Sequence, residues 1–473
     1  MPSRAHGAPR QLSPKGGPAV LLPESTSRDV ALDRSMGLVA ASAIVAGIIL
    51  GTSIFVQPSE ISRLVPSIPA MTAVWLVAGL LTLCGAMTCA ELASAFPHTG
   101  GVYIFLKEGI SPVAGFLWGW AMFWTMHSGI IAAIAVIVAR YAGYFVPLDD
   151  RGVKALAIGV IFLLSGVNYL GVRQGSALQA VLTAGKVLAI ALIFVFVFAV
   201  ATPTLGSPAT SPQAALPGFR QFLLALVAGL FAFGGWHMVT YTAGETRDPE
   251  HTIPRALLVG TLVVIGCYLS LNAAYIRVLP LPQLIASQRV AADAASALVG
   301  HRGAAIVSLL VILSGAGSLN GIILGGPRVY FAMAQDRLAF RWLGAIHPRY
   351  RTPHAAIGAQ ALWSSALVAT GTYRELFTRV VYTEWFFFAL MTVGLFRLRG
   401  RASYAPSYRV WGYPLVPALF VAACAAIVAN QIAADPRESA IGLFFVIAGL
   451  PVYYLWVRFA ASPHEGDPDR AHR

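Results

Sequence analysis

A bilayer core is crossed by about 20 consecutive apolar residues in a helix. Apolar runs of that size lie near 36–60, 70–95, 110–146, 153–171, 176–202, 219–244, 255–279, 302–334, 354–371, 376–397, 411–432 and 438–460. The pattern predicts twelve transmembrane helices, the third and eighth long enough to tilt or to project beyond the membrane. Residues 1–35, rich in Pro, Ser, Gly and charge, read as a disordered tail, and 461–473 as a second, shorter one. The apolar piece "AVLL" between Pro18 and Pro23 is too short for a signal-peptide core.

Two spans break the pattern. The first carries "GIILGTSIFVQPSE" and the sixth "FAFGGWHMVTYTAGE", so both place glycines and hydroxyl residues where the membrane is deepest. Each is followed about ten residues later by a glutamate, Glu60 or Glu245. Being five spans apart, they cross in opposite directions. Gly-interrupted spans at matching positions of two inverted halves point to a transporter's binding site. Non-helical backbone at this depth is tolerated only where it lines a cavity. A break exposes N–H groups of partial positive charge and carbonyls of partial negative charge. A zwitterion such as an amino acid needs both. Gly47 and Gly51 alone would also suit a helix-packing notch; the pair Gly234 and Gly235 in the other half favours broken helices.

Composition narrows the class. The chain is 57% hydrophobic and 11% charged, with a mean hydropathy of +0.70, which marks an integral membrane protein. Its net charge of +13 is not a nucleic-acid footprint. The basic residues gather in alternate short loops: Arg337, Arg341, Arg349 and Arg351, then Arg397, Arg399, Arg401 and Arg409, with Arg28 and Arg34 in the tail. Residues 203–217, on the other side, carry no charge. The positive-inside rule therefore places both termini in the cytoplasm. Cys84, Cys89, Cys267 and Cys424 all fall in apolar segments and read as small packing residues. No cofactor or metal site is expected.

Lys186, in "LTAGKVLAIALIF", is the lone lysine within an apolar span core. Ten residues from the start of its span, at about 1.5 Å each, bury it roughly 15 Å deep. A charge at that depth is functional by default, and it could act as a fixed cation or as a titrating group. His127 in the third span could titrate near neutrality or be a satisfied core residue. Aromatic residues of "FLWGWAMFW" and "YTEWFFF" read as interfacial belts and packing. Glu91 and Glu245 read as partners of loop arginines, Arg328 as an anchor of the eighth span, and "DPEHTIPRA" as a turn and helix start.

These residues carry a resemblance. "GTSIF" resembles the first-span G-S-G-I-F of the amino acid–polyamine–organocation transporters, in their L-amino-acid transporter branch. "FAFGGWHMVTYTAGETRDPEHTIPRAL" is similar to the branch's sixth-span motif. Further matches lie at 90–120, 318–338 and 408–419, and the resemblance runs from about 36 to 432. It implies an all-α, five-plus-five inverted repeat with helices 1 and 6 broken: 36–202, then 203–397, with two extra helices in 398–460. It further implies a substrate carboxylate held at Ile49, Gly51, Thr52 and Ser53, and an ammonium held by carbonyls around Phe231, Ala232 and Gly234, with Gly235 also at the substrate site. Phe231 would be the gate, with Trp236 and His237 lining the side-chain pocket. Lys186, bridging the first-span break to Ser318, would occupy the place of a sodium ion. Two departures stand out: Ser53 replaces a glycine, and His237 replaces an asparagine. The loop "VPLDDRGVK" lacks the cysteine through which relatives join a heavy chain, so no disulfide-linked partner is expected.

The expected function is sodium-independent transport of L-amino acids across the plasma membrane, by exchange or proton-coupled uptake, with the bilayer and the small-molecule substrate as partners. Alternatives are a sodium-coupled amino acid or amine symporter, a channel, or an intramembrane enzyme. No H-E-x-x-H, G-x-S-x-G or filter-like loop supports the last two.

Overall fold

Within lipid every backbone N–H and C=O must find a partner in the chain, so apolar runs of this length fold as helices. The computed structural model describes residues 36–98, 100–170, 195, 199, 218–350 and 352–461. In chain order the helices are α1 Leu38–Ile49, α2 Gln57–Leu64, α3 Ile68–Ala95, α4 Val102–Gly109, α5 Pro112–Ala121, α6 His127–Ala142, α7 Asp150–Leu170, α8 Phe219–Ala232, α9 Pro249–Val278, α10 Leu281–Ala286, α11 Val290–Gln335, α12 His354–Thr370, α13 Tyr373–Arg399, α14 Leu415–Ala434, α15 Pro436–Ile447 and α16 Gly449–Ala461. Among the described residues there is no strand, only an isolated bridge between Met36 and Thr246.

Ten segments among the described residues are long and apolar enough to cross a membrane. The expected segment 354–371 is a helix of 17 residues, shorter than these. The expected span at 176–202 lies outside the described residues, apart from Val195 and Ala199. The run 302–334 proves longer: its helix starts at Val290 and kinks at Gly300, whose φ of 72° only glycine adopts readily. The third span is α5 and α6 joined by a π-helical turn, Met122–Met126, and the last is α15 and α16 meeting at Ala448.

Local chemistry sets the helix starts. Ser67, Ser111 and Asp435 cap α3, α5 and α15 with side-chain oxygens, each followed by proline in the first turn. Thr372 and Glu375 form a reciprocal capping box on α13. The outward faces expose Leu80, Leu163, Leu362 and Phe444, which suits a lipid surround. Inside, α9 lies along α3 and α1, while α6 packs against α11, α7, α12 and α13.

One buried charge fastens a loop to this bundle. Glu91, fully buried on α3, accepts bonds from Arg399 Nε at 2.8 Å and Nη2 at 2.5 Å, and from the Val410 N–H at 2.6 Å. The Tyr404 hydroxyl donates to it at 3.3 Å. Burial first, then the Glu91 charge, push the Tyr404 pKa well above that of an ordinary phenol, so it remains a donor. Glu91 thus has its loop arginine; the Glu245 side chain lies outside the described side chains.

Candidate functional site

The first span is interrupted where its glycine and hydroxyl residues lie. α1 ends at Ile49; Leu50 leaves helical geometry (φ −65°, ψ 59°), and the Gly51 N–H folds back on the Ile49 carbonyl at 2.5 Å. A short 3₁₀ turn, Ser53–Phe55, leads into α2, and the first N–H groups of such a turn have no partner within it. The sixth span is interrupted in the same manner. α8 ends at Ala232, the Gly234 N–H bonds the Phe231 carbonyl at 3.1 Å, and the chain resumes as a 3₁₀ segment, Trp236–Glu245. Gly235 turns the corner with φ 90°. A Cβ there would lie 2.6 Å from Ile48 Cγ2, so the two breaks abut.

A residue outside both breaks joins them. The Tyr268 hydroxyl on α9 lies 2.6 Å from the Ile49 carbonyl and 3.0 Å from the Ala232 carbonyl. These are the last carbonyls of α1 and α8, where a helix is partially negative. Its ring is held by Phe233 (centroids 4.9 Å) and Trp75 (5.7 Å). One hydroxyl proton serves two acceptors.

Between the breaks lies a cavity of about 30 Å³, lined by Ile48, Ile49, Gly51, Ser53, Phe231, Ala232, Gly234 and Gly235. Its other walls are Ile130 and Ile134 of α6, Met238, Ile322 of α11, and Val380 and Glu384 of α13. That volume holds about one water molecule; an amino acid enters only when the walls separate. Phe231 packs on Phe377 (5.5 Å) and Tyr373 (6.5 Å) at one side. Elsewhere the Arg247 N–H donates to the Met36 carbonyl at 2.9 Å, linking the start of the first span to the end of the sixth-span 3₁₀ segment. Gly101 closes against that segment: at φ 48°, its Cβ position is 2.1 Å from Thr240 Oγ1.

Most of the residues expected at the site gather here, with differences. Thr52 turns from the cavity toward α11, where a Cβ on Gly315 would meet Thr52 Cγ2 at 2.6 Å. Trp236 and His237 stand behind the lining: His237 sits among Trp118, Trp236, Tyr241 and Phe388, with ring centroids 5.1–5.7 Å away. Met238 takes the place on the wall instead. Ser318 is buried, and its hydroxyl is 3.8 Å from a Cβ position on Gly51. Lys186 lies outside the described residues. His127 is buried at the start of α6.

Two residues were missed. Tyr268, in "GCYLSLNAAY", looks like any aromatic in an apolar run and carries no sequence signal. Glu384 did carry one, a carboxyl inside the apolar run "YTEWFFF". Among the described residues the site holds no cluster of metal-ligating side chains.

The model of the amino acid permease family matches residues 36–466. The serine/threonine exchanger SteT of Bacillus subtilis is 30% identical over 440 residues, covering 90% of this chain and 98% of that protein. The large neutral amino acids transporter small subunit 2 of Oryctolagus cuniculus is 31% identical, over 93% of this chain and 84% of its own. The Asc-type amino acid transporter 1 of Mus musculus is 28% identical, over 92% and 84%.

Proposed function

The chain belongs to the amino acid permease family, and from that premise we propose that this multi-pass membrane protein is a secondary active transporter of L-amino acids, working by alternating access. One observation carries the reading: two interrupted spans face each other across a cavity, and their last carbonyls, of Ile49 and Ala232, converge on one hydroxyl. A substrate ammonium with three protons is a better partner for those carbonyls than the single proton of Tyr268. Its carboxylate would lie at the N–H groups that follow Gly51. Ser53 contributes a hydroxyl there, and Phe231 acts as the gate. Trp236, His237 and Thr52 support the wall from behind.

The finer points form one proposal. The chain crosses the plasma or inner membrane twelve times, with both termini cytoplasmic, as a five-plus-five inverted repeat followed by two helices. Transport is independent of sodium, because Lys186 with Ser318 stands in for the ion, and it proceeds by exchange or proton-coupled uptake. The chain works without a disulfide-linked subunit: the loop joining α6 to α7 has no cysteine, and its four cysteines are free and lie on α3, α9 and α14.

The test is counterflow. Purified protein in liposomes loaded with each standard amino acid in turn should accumulate the same labelled amino acid above equilibrium for a subset of them, saturably and with sodium absent. Non-saturable flux would mean a channel. Accumulation that requires sodium would remove the Lys186 assignment.

A further inference from the structure

We infer that the Glu384 carboxyl is a proton-or-cation site of the cavity, which closes only when that carboxyl bears a proton or faces an ammonium on the substrate's side chain. Glu384 lies in the middle of α13, is 3% exposed and lines the cavity. Its Oε1 is buried without a hydrogen-bond partner, and among the described residues no ion pair involves it. It shares the cavity with the apolar residues Ile130, Ile134, Met238, Ile322 and Val380 and with the two breaks, and none of the lining residues is a cation. An isolated carboxylate in such surroundings costs far more than a neutral carboxylic acid, which needs only one acceptor. The nearest positive charges are engaged: Arg379, on the same helix, pairs with Glu438, and Arg140 of α6 lies over the ring of Tyr373, about three turns along α13 from Glu384. Among the described residues the titratable and charged groups on the surrounding elements include Tyr241, within electrostatic reach of Glu384, and His237 on the 3₁₀ segment, His127 and Arg140 on α6, and Cys89 on α3. Among the described residues neither histidine has a hydrogen-bond partner at either ring nitrogen.

The exchange balances simply. With the cavity open, Glu384 takes its proton from water on that side and returns it on the side where the cavity next opens. When a substrate brings a side-chain ammonium, the proton leaves to water and the carboxylate pairs with the cation instead. Neutral and cationic side chains are therefore carried on opposite protonation states of one residue. The inference rests on the transport reading for its flux assay only.

Alanine and 2,4-diaminobutyrate, a compact side-chain ammonium, are the probes. In wild-type liposomes, alanine counterflow should fall severalfold from mildly acidic to mildly alkaline buffer, while diaminobutyrate competes more strongly over the same range. Glu384→Gln, which keeps the shape of the neutral acid, should flatten both profiles; His127→Asn and His237→Asn should keep them. Profiles retained in Glu384→Gln, or lost with either histidine, overturn the inference. A second readout needs no flux: the thermal stability of the unliganded protein in detergent should drop with rising pH, and Glu384→Gln should remove that slope. An equal slope in the variant overturns the inference, whereas absent counterflow of every amino acid with the slope intact overturns only the transport reading.

Discussion

Tyr268 carries one hydroxyl proton for two carbonyls, so at any instant one of the two is left short of a donor. Its removal in Tyr268→Phe should leave the fold intact by gel filtration. The loss of one net hydrogen bond, about 1 kcal/mol, should slow counterflow about fivefold. Lys186→Ala should abolish or severely slow transport in folded protein, and full flux would remove its proposed role. Ser53→Gly should be tolerated, because the serine side chain meets the cavity rather than a packed helix. Phe231→Ala should impair closure, read as a faster leak of preloaded substrate. Residues of this kind differ in how visible they are. Gly51, Ser53 and Gly234 stood out as poor lipid-facing helix formers. Tyr268 did not, because an aromatic hydroxyl in an apolar run gives no sign of what it will reach.

At the scale of elements, both interruptions were legible because glycine and hydroxyl residues recur at mid-span in two spans that cross in opposite directions, which a packing notch in one helix would not require. The orientation beyond the second break was not. A 3₁₀ segment advances about 120° per residue against about 100° in an α-helix, and Gly235 enters it from left-handed geometry. The side chains of Trp236 and His237 accordingly end behind the wall, and Met238 lines it. The start of α11 was equally hidden, since its first residues, "VAADAASAL", look like a loop until Gly300 is known to kink a continuing helix. Gly101 marks where the 3₁₀ segment is clamped. Gly101→Ala would place a methyl group on Thr240 Oγ1 at a positive φ, a strain of about 1–3 kcal/mol. Thermal unfolding in detergent should show that loss, and unchanged stability would mean the segment yields freely.

Across the whole molecule, apolar run lengths were enough to foresee a multi-pass helical bundle, but not how the runs pack or which carboxyls they bury. Glu91 accepts four bonds, two from Arg399 at the end of α13 and one each from Tyr404 and Val410 in the loop that follows. Glu91→Ala leaves Arg399 without its carboxylate, and breaking a buried pair of this kind costs about 3–5 kcal/mol; a large fall in unfolding temperature would register it. Glu384, whose Oε1 has no hydrogen-bond partner among the described residues, is the opposite case, a polar group that the bundle leaves for whatever enters. Replacing sodium by choline should leave exchange unchanged, and trans-substrate should accelerate it.

The bond between the Arg247 N–H and the Met36 carbonyl has a quantitative bearing on that crossing. A backbone hydrogen bond contributes about 1 kcal/mol net, which shifts the ratio of two conformers about fivefold. Breaking that one bond, with every other contact at that end kept, would enlarge the share of any form open at the Met36 end about fivefold.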